Sequence, residues 1–293
     1  MDYWDDYRLV LALDRAGTLR AAAVELGVNH ATVSRRLAGL AARFDGEIFE
    51  RVAGRYRRTS LGSEVVEAAA KMEAAAYRAE RARRAVDGEL AGEIRLSLPA
   101  PLALHLLAGD LEAFRRLHPA IRLCVDVSNR FANVERAEAD VVVRASASPG
   151  DDLVGLRLFP YALAHYASAA YLERTAPEDL RWIASTDDKT VAQWITASPY
   201  PDVPVGIRSN DPLLRHELAR LGHGLVRDAC YLADPTNELV RLGDSRPVPH
   251  QDIWVLTHKD LRDVPRIKAL MRHLADALRA RRDLIEGTRE TAC

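Results

Sequence analysis

The chain has 293 residues, 48% of them apolar and 28% charged, with a net charge of −1. That balance is too apolar for a disordered chain and too charged for a membrane bundle, and no stretch reaches the roughly 18 apolar residues that a span needs. The acidic start, MDYWDDYRLV, carries no secretory n-region, and the three cysteines (Cys124, Cys230, Cys293) form no C-x-x-C pair. The sequence therefore predicts a cytoplasmic protein without a disulfide framework, a zinc ribbon or membrane contact.

Along the chain, residues 5–16 place Leu9, Leu13 and Ala16 on one helical face. Thr18 is a good N-cap for a helix over 19–26, and Gly27 supplies the left-handed residue that ends it. Val28-Asn29-His30 reads as the turn, with a third helix from about Ala31 to Phe44. A small residue (Ala23), a turn glycine (Gly27) and an aliphatic anchor (Val33) have the spacing of a helix-turn-helix. Val33, Leu37 and Leu40 form the buried stripe of the third helix, which turns Thr32, Arg35, Arg36 and Gly39 to another face.

Residues 34–60 carry seven arginines against three acids, a local charge of +4, whereas residues 91–293 hold 26 bases and 28 acids. A basic island on a near-neutral body points to an anionic partner, nucleic acid first, with an Arg-rich solvated surface as the alternative. The segment GEIFERVAGRYRRTSLG reads as a β-hairpin wing that reverses at Gly54, with Arg51, Arg55, Arg57 and Arg58 placed to grip phosphates. The candidate DNA-binding residues are Thr18, Asn29, His30, Thr32, Ser34, Arg35, Arg36, Arg51, Arg55 and Arg57.

The run TLRAAAVELGVNHATVSRRLAGL, followed by IFERV and RRTSLG, resembles the winged helix-turn-helix of LysR-type transcriptional regulators. Ala41, Asp45 and Arg58 depart from that family's usual glutamate, glycine and leucine. In residues 61–90, Leu61, Val65, Ala68, Met72, Ala75, Ala79, Ala82 and Val86 recur at alternating intervals of four and three. That is a coiled-coil seam too thin to stabilise a lone helix. The alternative is a helix packed on its own body. The resemblance implies a linker helix that forms a homodimer, and a homotetramer built as a dimer of dimers.

Beyond residue 91, strand and helix signals alternate, which predicts an α/β fold with parallel strands. Strands are expected at 93–98, 121–127, 140–144, 161–167, 181–184, 205–208 and 252–257. Helices are expected after Pro99 (stripe Leu107, Leu111, Phe114, Leu117), at 193–197, 212–221 and 264–284. FRRLHPAIRL, ADVVVRAS, SNDPLLRHELARLGHGL and HKDLRDVPRIKALMRHL resemble the family's two-lobed, periplasmic-binding-protein-like effector domain. The whole reads as a multidomain α and α/β chain. Residues 1–60 form the winged head, 61–90 the linker and 91–293 the effector domain. Lobe I comprises 91–157 and 254–293, and lobe II comprises 158–253. The lobes join near Leu158 to Pro160 and Pro249 to Asp252.

Open α/β sheets bind ligands beyond the carboxyl ends of their strands. Those ends carry the candidate effector-binding residues Pro101, Leu102, Asn129, Arg130, Arg144, Ser146, Ser209 and Asn210. The helix opening at Pro101 suits an anion, although Pro-Ala-Pro stands where the family often has a hydroxyl. His216, His223 and Gly224 read as helix-end and turn residues, and Asp187-Asp188 as a solvated turn. No nucleotide, hydrolase or metal motif is present, and the nine histidines form no ligand cluster. No enzyme activity, metal or cofactor is expected. The cysteines lack the resolving pair of a redox switch. The resemblance implies double-stranded operator DNA and a small-molecule effector as partners, and allows RNA polymerase. Two other readings stay open: a solute-binding module with a vestigial head, and an architectural DNA binder whose lobes bind nothing.

Overall fold

The computed structural model describes residues 3–85, 90–128, 139–147, 153–186, 188–243 and 245–288. The chain divides into two compact units, 1–84 and 85–293.

The first unit begins with α1 (Tyr3–Ala16), α2 (Leu19–Leu26) and α3 (His30–Arg43). Thr18 Oγ1 accepts from the Ala21 N–H at 3.2 Å, and Asn29 Oδ1 from the Thr32 N–H at 2.7 Å, so both later helices start on side-chain caps. The second cap puts His30 inside α3 rather than in the turn, one residue earlier than the sequence suggested. Gly27 has φ +66°, the left-handed closure expected of it. A hairpin follows, β1 (Phe49–Val52) and β2 (Arg55–Arg58), reversing on Ala53 and Gly54 with φ of +48° and +81°. Two positive φ values in a two-residue loop match the twist of the flanking strands. Thr59 caps α4 (Ser60–Ala85): its Oγ1 accepts from the Gly62 N–H at 2.9 Å and donates to the Glu47 carbonyl at 2.7 Å.

Leu9, Leu13, Ala22, Ala23, Val33, Leu37 and Leu40 share one core with Ile48, Phe49, Val65, Val66 and Ala69. The crossing helices and the root of α4 are thus a single folding unit. Ala16, at the end of the first stripe, packs on its edge.

The second unit contains β3 (Gly92–Leu98), α5 (Ala100–Leu102), a π-turn (Ala103–Leu107), α6 (Ala108–Leu117), β4 (Ile121–Val127), β5 (Val141–Ser146) and β6 (Leu153–Ser168). It continues with α7 (Ala169–Arg174), β7 (Trp182–Ala184), α8 (Val191–Thr196), β8 (Val205–Arg208), α9 (Pro212–Arg220), β9 (Leu225–Ala229) and α10 (Cys230–Ala233). Strands β10 (Leu239–Arg241) and β11 (Val248–His258) and helices α11 (Pro265–Arg279) and α12 (Arg282–Ile285) complete it.

The sheet order is β4-β3-β5-β11-β6-β9-β7-β8, with β10 on β6. The expectation of parallel strands holds for part of the sheet: β3 pairs β4 and β5, and β7 pairs β8 and β9, in parallel, but β11 runs antiparallel to β5 and β6, and β6 antiparallel to β9. The reason is that two long strands, β6 and β11, pass side by side from one lobe to the other. Their ladder is interrupted between Pro249 and Asp252, opposite Pro160 and Ala162. Irregular pairing of this kind breaks the regular ladder locally.

Other differences have local causes. Leu117 belongs to no buried stripe, being 67% exposed at the end of α6. Val125 and Val127 are exposed because β4 is an edge strand. The expected last helix breaks at Ala280–Arg281 into α11 and α12. Strand β9 escaped the sequence reading because Leu225-Val226-Arg227-Asp228-Ala229 sets a charged pair between apolar residues and does not alternate.

Candidate nucleic-acid interface and ligand cleft

The exposed face of α3 carries His30, Ser34, Arg35 and Gly39, with Asn29 at its cap and Thr32 half-buried beside them; Thr18 is half-buried at its cap. Arg35 is exposed, while Arg36 turns back to α1, 3.7 Å from Asp5 and 3.8 Å from Asp6. Arg43 pairs with Asp6 at 3.3 Å and lies over the Phe44 ring. On the wing, Arg58 forks onto Asp14, with Nη2 2.6 Å from Oδ2. Its standing where a leucine is usual thus has a compensation in α1. Burial opposes the ionisation of Arg58 less than the Asp14 hydrogen bond favours it, and its pKa is raised. Arg55 lies against Gly17 and reaches the Ala16 carbonyl at 3.4 Å, below the Tyr56 N–H that donates to Gly17 at 2.9 Å. Asp45, also at a departing position, has φ +51°, the conformation that makes glycine suitable there.

Four of the seven arginines in the basic island are therefore staples of the head. Arg35, Arg51 and Arg57 are exposed and make no ion pair among the described residues. These three, one on the helix and two on the wing, are the groups available to a polyanion.

Helix α4 presents two faces. Val65, Val66 and Ala69 enter the head's core, and Glu73 is forked by Arg15. Ala68, Met72, Ala75, Ala79 and Ala82, the middle of the expected seam, are exposed. Val86 lies outside the described residues.

Where the lobes of the second unit meet there are two adjoining chambers of about 250 Å³ each. The first is lined by Pro99, Pro101, Leu102 and Arg144 from lobe I and by Pro212, Asp228, Tyr231 and Leu232. The second is lined by Ser185, Asp188, Trp194 and His250. Tyr161, Leu163, Arg215 and Arg227 line both.

Of the sequence candidates, Pro101, Leu102 and Arg144 meet at the first chamber. Arg144 is 3% exposed and donates to Ser97 Oγ and to the Val143 carbonyl, each at 2.8 Å. Burial pulls its pKa down to about 10 against the favourable field of Asp126. Ser146 lies at the end of β5, its carbonyl taken by the Trp254 indole at 3.0 Å. Ser209 and Asn210 line neither chamber; the Ser209 carbonyl accepts from Arg215 Nη1 at 2.6 Å. Asn129 and Arg130 lie outside the described residues.

The sequence reading missed Tyr161, Arg215, Arg227, Asp228, Gln251, Asp188 and His250. They come from separate places in the chain, Tyr161 on β6, Arg227 and Asp228 on β9, His250 and Gln251 on β11, Arg215 on α9 and Asp188 in the loop after β7, so no local spacing marks them. His216 is no helix-end residue but sits within α9, 6% exposed, its Nδ1 2.7 Å from Asp228 Oδ2. Asp188 is no solvated turn either: its carboxylate accepts from the Thr190 N–H, the Thr190 hydroxyl and Trp194 Nε1. Burial opposes its ionisation, but these hydrogen bonds and the nearby Arg227 hold its pKa below the usual range. Burial pushes Tyr161 up to about 12 and lowers His250, Arg215 and Arg227. Among the described residues, no helix is long and apolar enough to cross a membrane.

Comparison with known proteins gives two matches within the chain. Residues 4–63 match the bacterial regulatory helix-turn-helix protein, lysR family, and residues 87–279 match the LysR substrate binding domain. The chain is 28% identical over 289 residues to the Mau operon transcriptional activator of Paracoccus denitrificans, covering 93% of this chain and 95% of that protein. It is 24% identical over 230 residues to the HTH-type transcriptional regulator CrgA of Neisseria meningitidis serogroup C, covering 75% and 77% of the two. The solved structure of CrgA from Neisseria meningitidis superposes with a TM-score of 0.57 at 19% identity, covering 94% and 98% of the two chains. Full-length AphB of Vibrio cholerae superposes with a TM-score of 0.57 at 16% identity, covering 93% and 98%.

Proposed function

The chain belongs to the LysR family of bacterial transcriptional regulators, with a DNA-binding helix-turn-helix and an effector-binding domain, and on that premise we propose how its residues divide the work. Asn29, His30, Ser34 and Arg35 read base edges from the major groove, and Arg51 and Arg57 hold phosphates. Thr18 and Thr32 position the recognition helix. Arg36 and Arg55 act through the head they brace. The observation that carries this reading is the split among the arginines, in which three remain unpaired on the helix and wing.

The exposed seam of α4, from Ala68 to Ala82, pairs with the same helix of a second copy. Its small residues let the two backbones approach closely. Two heads joined on a two-fold axis suit a pseudo-palindromic operator, and a dimer of dimers completes a homotetramer. The regulator works in the cytoplasm without catalysis, and RNA polymerase is its partner at the promoter. Effector in the cleft alters the bend of the lobes, the spacing of the heads and hence the promoter DNA.

A footprint across the intergenic DNA beside its own gene tests the reading. Protection of two half-sites, with altered spacing when metabolite extract is added, is the expected result. Absence of any protected region overturns the DNA assignment. Protection that never responds to extract makes the protein an architectural binder.

A further inference from the structure

We propose that the effector is a compact organic monocarboxylate, its charged end docked on Arg227 and Arg215 at the waist between the two chambers and its apolar body in the first. This rests on the effector-sensing reading of the cleft.

The argument begins with the acids that could have neutralised those arginines. Asp228 spends Oδ2 on His216 and Oδ1 on the Ala229 N–H at 2.8 Å. Asp188 spends both oxygens on Thr190 and Trp194. Each carboxylate in the cleft is committed to another partner. The Arg227 guanidinium makes no hydrogen bond or ion pair among the described residues and lies 5.8 Å from the centre of the Trp194 ring. Arg215 Nη1 donates to the Ser209 carbonyl. Both are half-buried, and burial disfavours their charge.

A half-buried guanidinium without a directly bonded counter-ion is costly, and a carboxylate delivered by a ligand relieves that cost with two parallel hydrogen bonds. Asp126 acts on Arg144, and Asp228, Asp211 and Asp188 act on Arg215. Asp188 acts on Arg227 from a distance, its oxygens turned to Thr190 and Trp194. His250 is held toward its neutral form by burial and by Arg227. One carboxylate matches the one of these three guanidinium groups that makes no hydrogen bond among the described residues. Pro99, Pro101, Leu102, Leu163 and Leu232 give the first chamber an apolar wall, and its volume of about 250 Å³ suits a compact molecule.

The test is a titration of the full-length protein at constant ionic strength with hexanoate and phenylacetate, each against its primary amide. Tryptophan fluorescence reports the ring beside Arg227, and the melting temperature reports binding to the folded state. Both acids should give a saturable fluorescence change and a rise in melting temperature in the millimolar range, and neither amide should. Arg227→Gln should weaken the response roughly tenfold or more, while Arg122→Gln on the outer edge strand leaves it intact. Should Arg227→Gln fail to fold, Arg227→Lys, which keeps the charge but not the fork, should still lose affinity. Equal response to acid and amide, an undiminished Arg227 variant, or no response to either acid overturns the proposal. The footprint without ligand is read separately, so failure of the anion assignment and failure of the regulator reading are distinguishable.

Discussion

The head and the cleft use the same side chain for opposite ends. On the head, Arg15, Arg36, Arg43 and Arg58 each find an acid on a neighbouring element, and the pairs tie helix to helix and wing to helix. In the cleft, Arg215 and Arg227 stand near Asp188 and Asp228 but pair with neither, because those carboxylates are bound elsewhere. An arginine becomes structure when a free carboxylate is within reach. It becomes a receptor when nearby carboxylates are already satisfied.

The comparison can be broken at the scaffold first. A Cβ at Gly62 would lie 1.8 Å from the Ile48 carbonyl oxygen, backbone against backbone. Gly62→Ala should therefore destabilise the head by more than about 3 kcal/mol, seen as early unfolding of the DNA-binding unit in calorimetry. A single undisturbed transition would show that α4 can move away from the wing without cost.

A smaller effect, on the order of 2 kcal/mol, is expected from His165. Burial, then Arg227, lowers its pKa to about 4 from an ordinary 6.5, so the unfolded chain binds this proton more readily. Its contribution is present above pH 6.5 and is lost as pH falls towards 4. Thermal unfolding of His165→Gln over that window should show a shallower loss of stability than the parent. Parallel curves would mean that the imidazole accepts a proton in place.

On DNA, Arg35→Ala should cost about 1–3 kcal/mol at the cognate site and relax base preference at one position in each half-site. Arg57→Ala should weaken binding on every sequence and make the salt slope shallower by about one. Arg58→Ala is the contrast: about 0.5–1 kcal/mol of head stability lost with the salt slope unchanged. If Arg57 and Arg58 behaved alike in a salt titration of binding, the division between staples and phosphate contacts would fail. For the linker, Ala75→Glu should convert the assembly to smaller species in sedimentation, with each head still folded.

Local signals made the head legible. Capping by Thr18 and Asn29, the left-handed Gly27 and the stripe of Val33, Leu37 and Leu40 are consequences of residues a few positions apart. Arg35 was legible for the same reason, since helical phase fixes its face. That Arg36 pairs with Asp5 and Asp6 was not, because residues some thirty positions apart meet only when α1 packs on α3.

The second unit divides along the same line. Its hydrophobic alternation marked most strands, the family resemblance implied its two lobes, and three lining residues of the cleft followed from strand-end position. The sequence could not reveal that β6 and β11 cross the lobes antiparallel, because direction is a property of pairing and alternation reads the same both ways. Arg215, Arg227 and Asp188 belong to three separate elements with no shared spacing. Only folding brought them to one waist, and only the full set of hydrogen bonds determined which charges there were already spent.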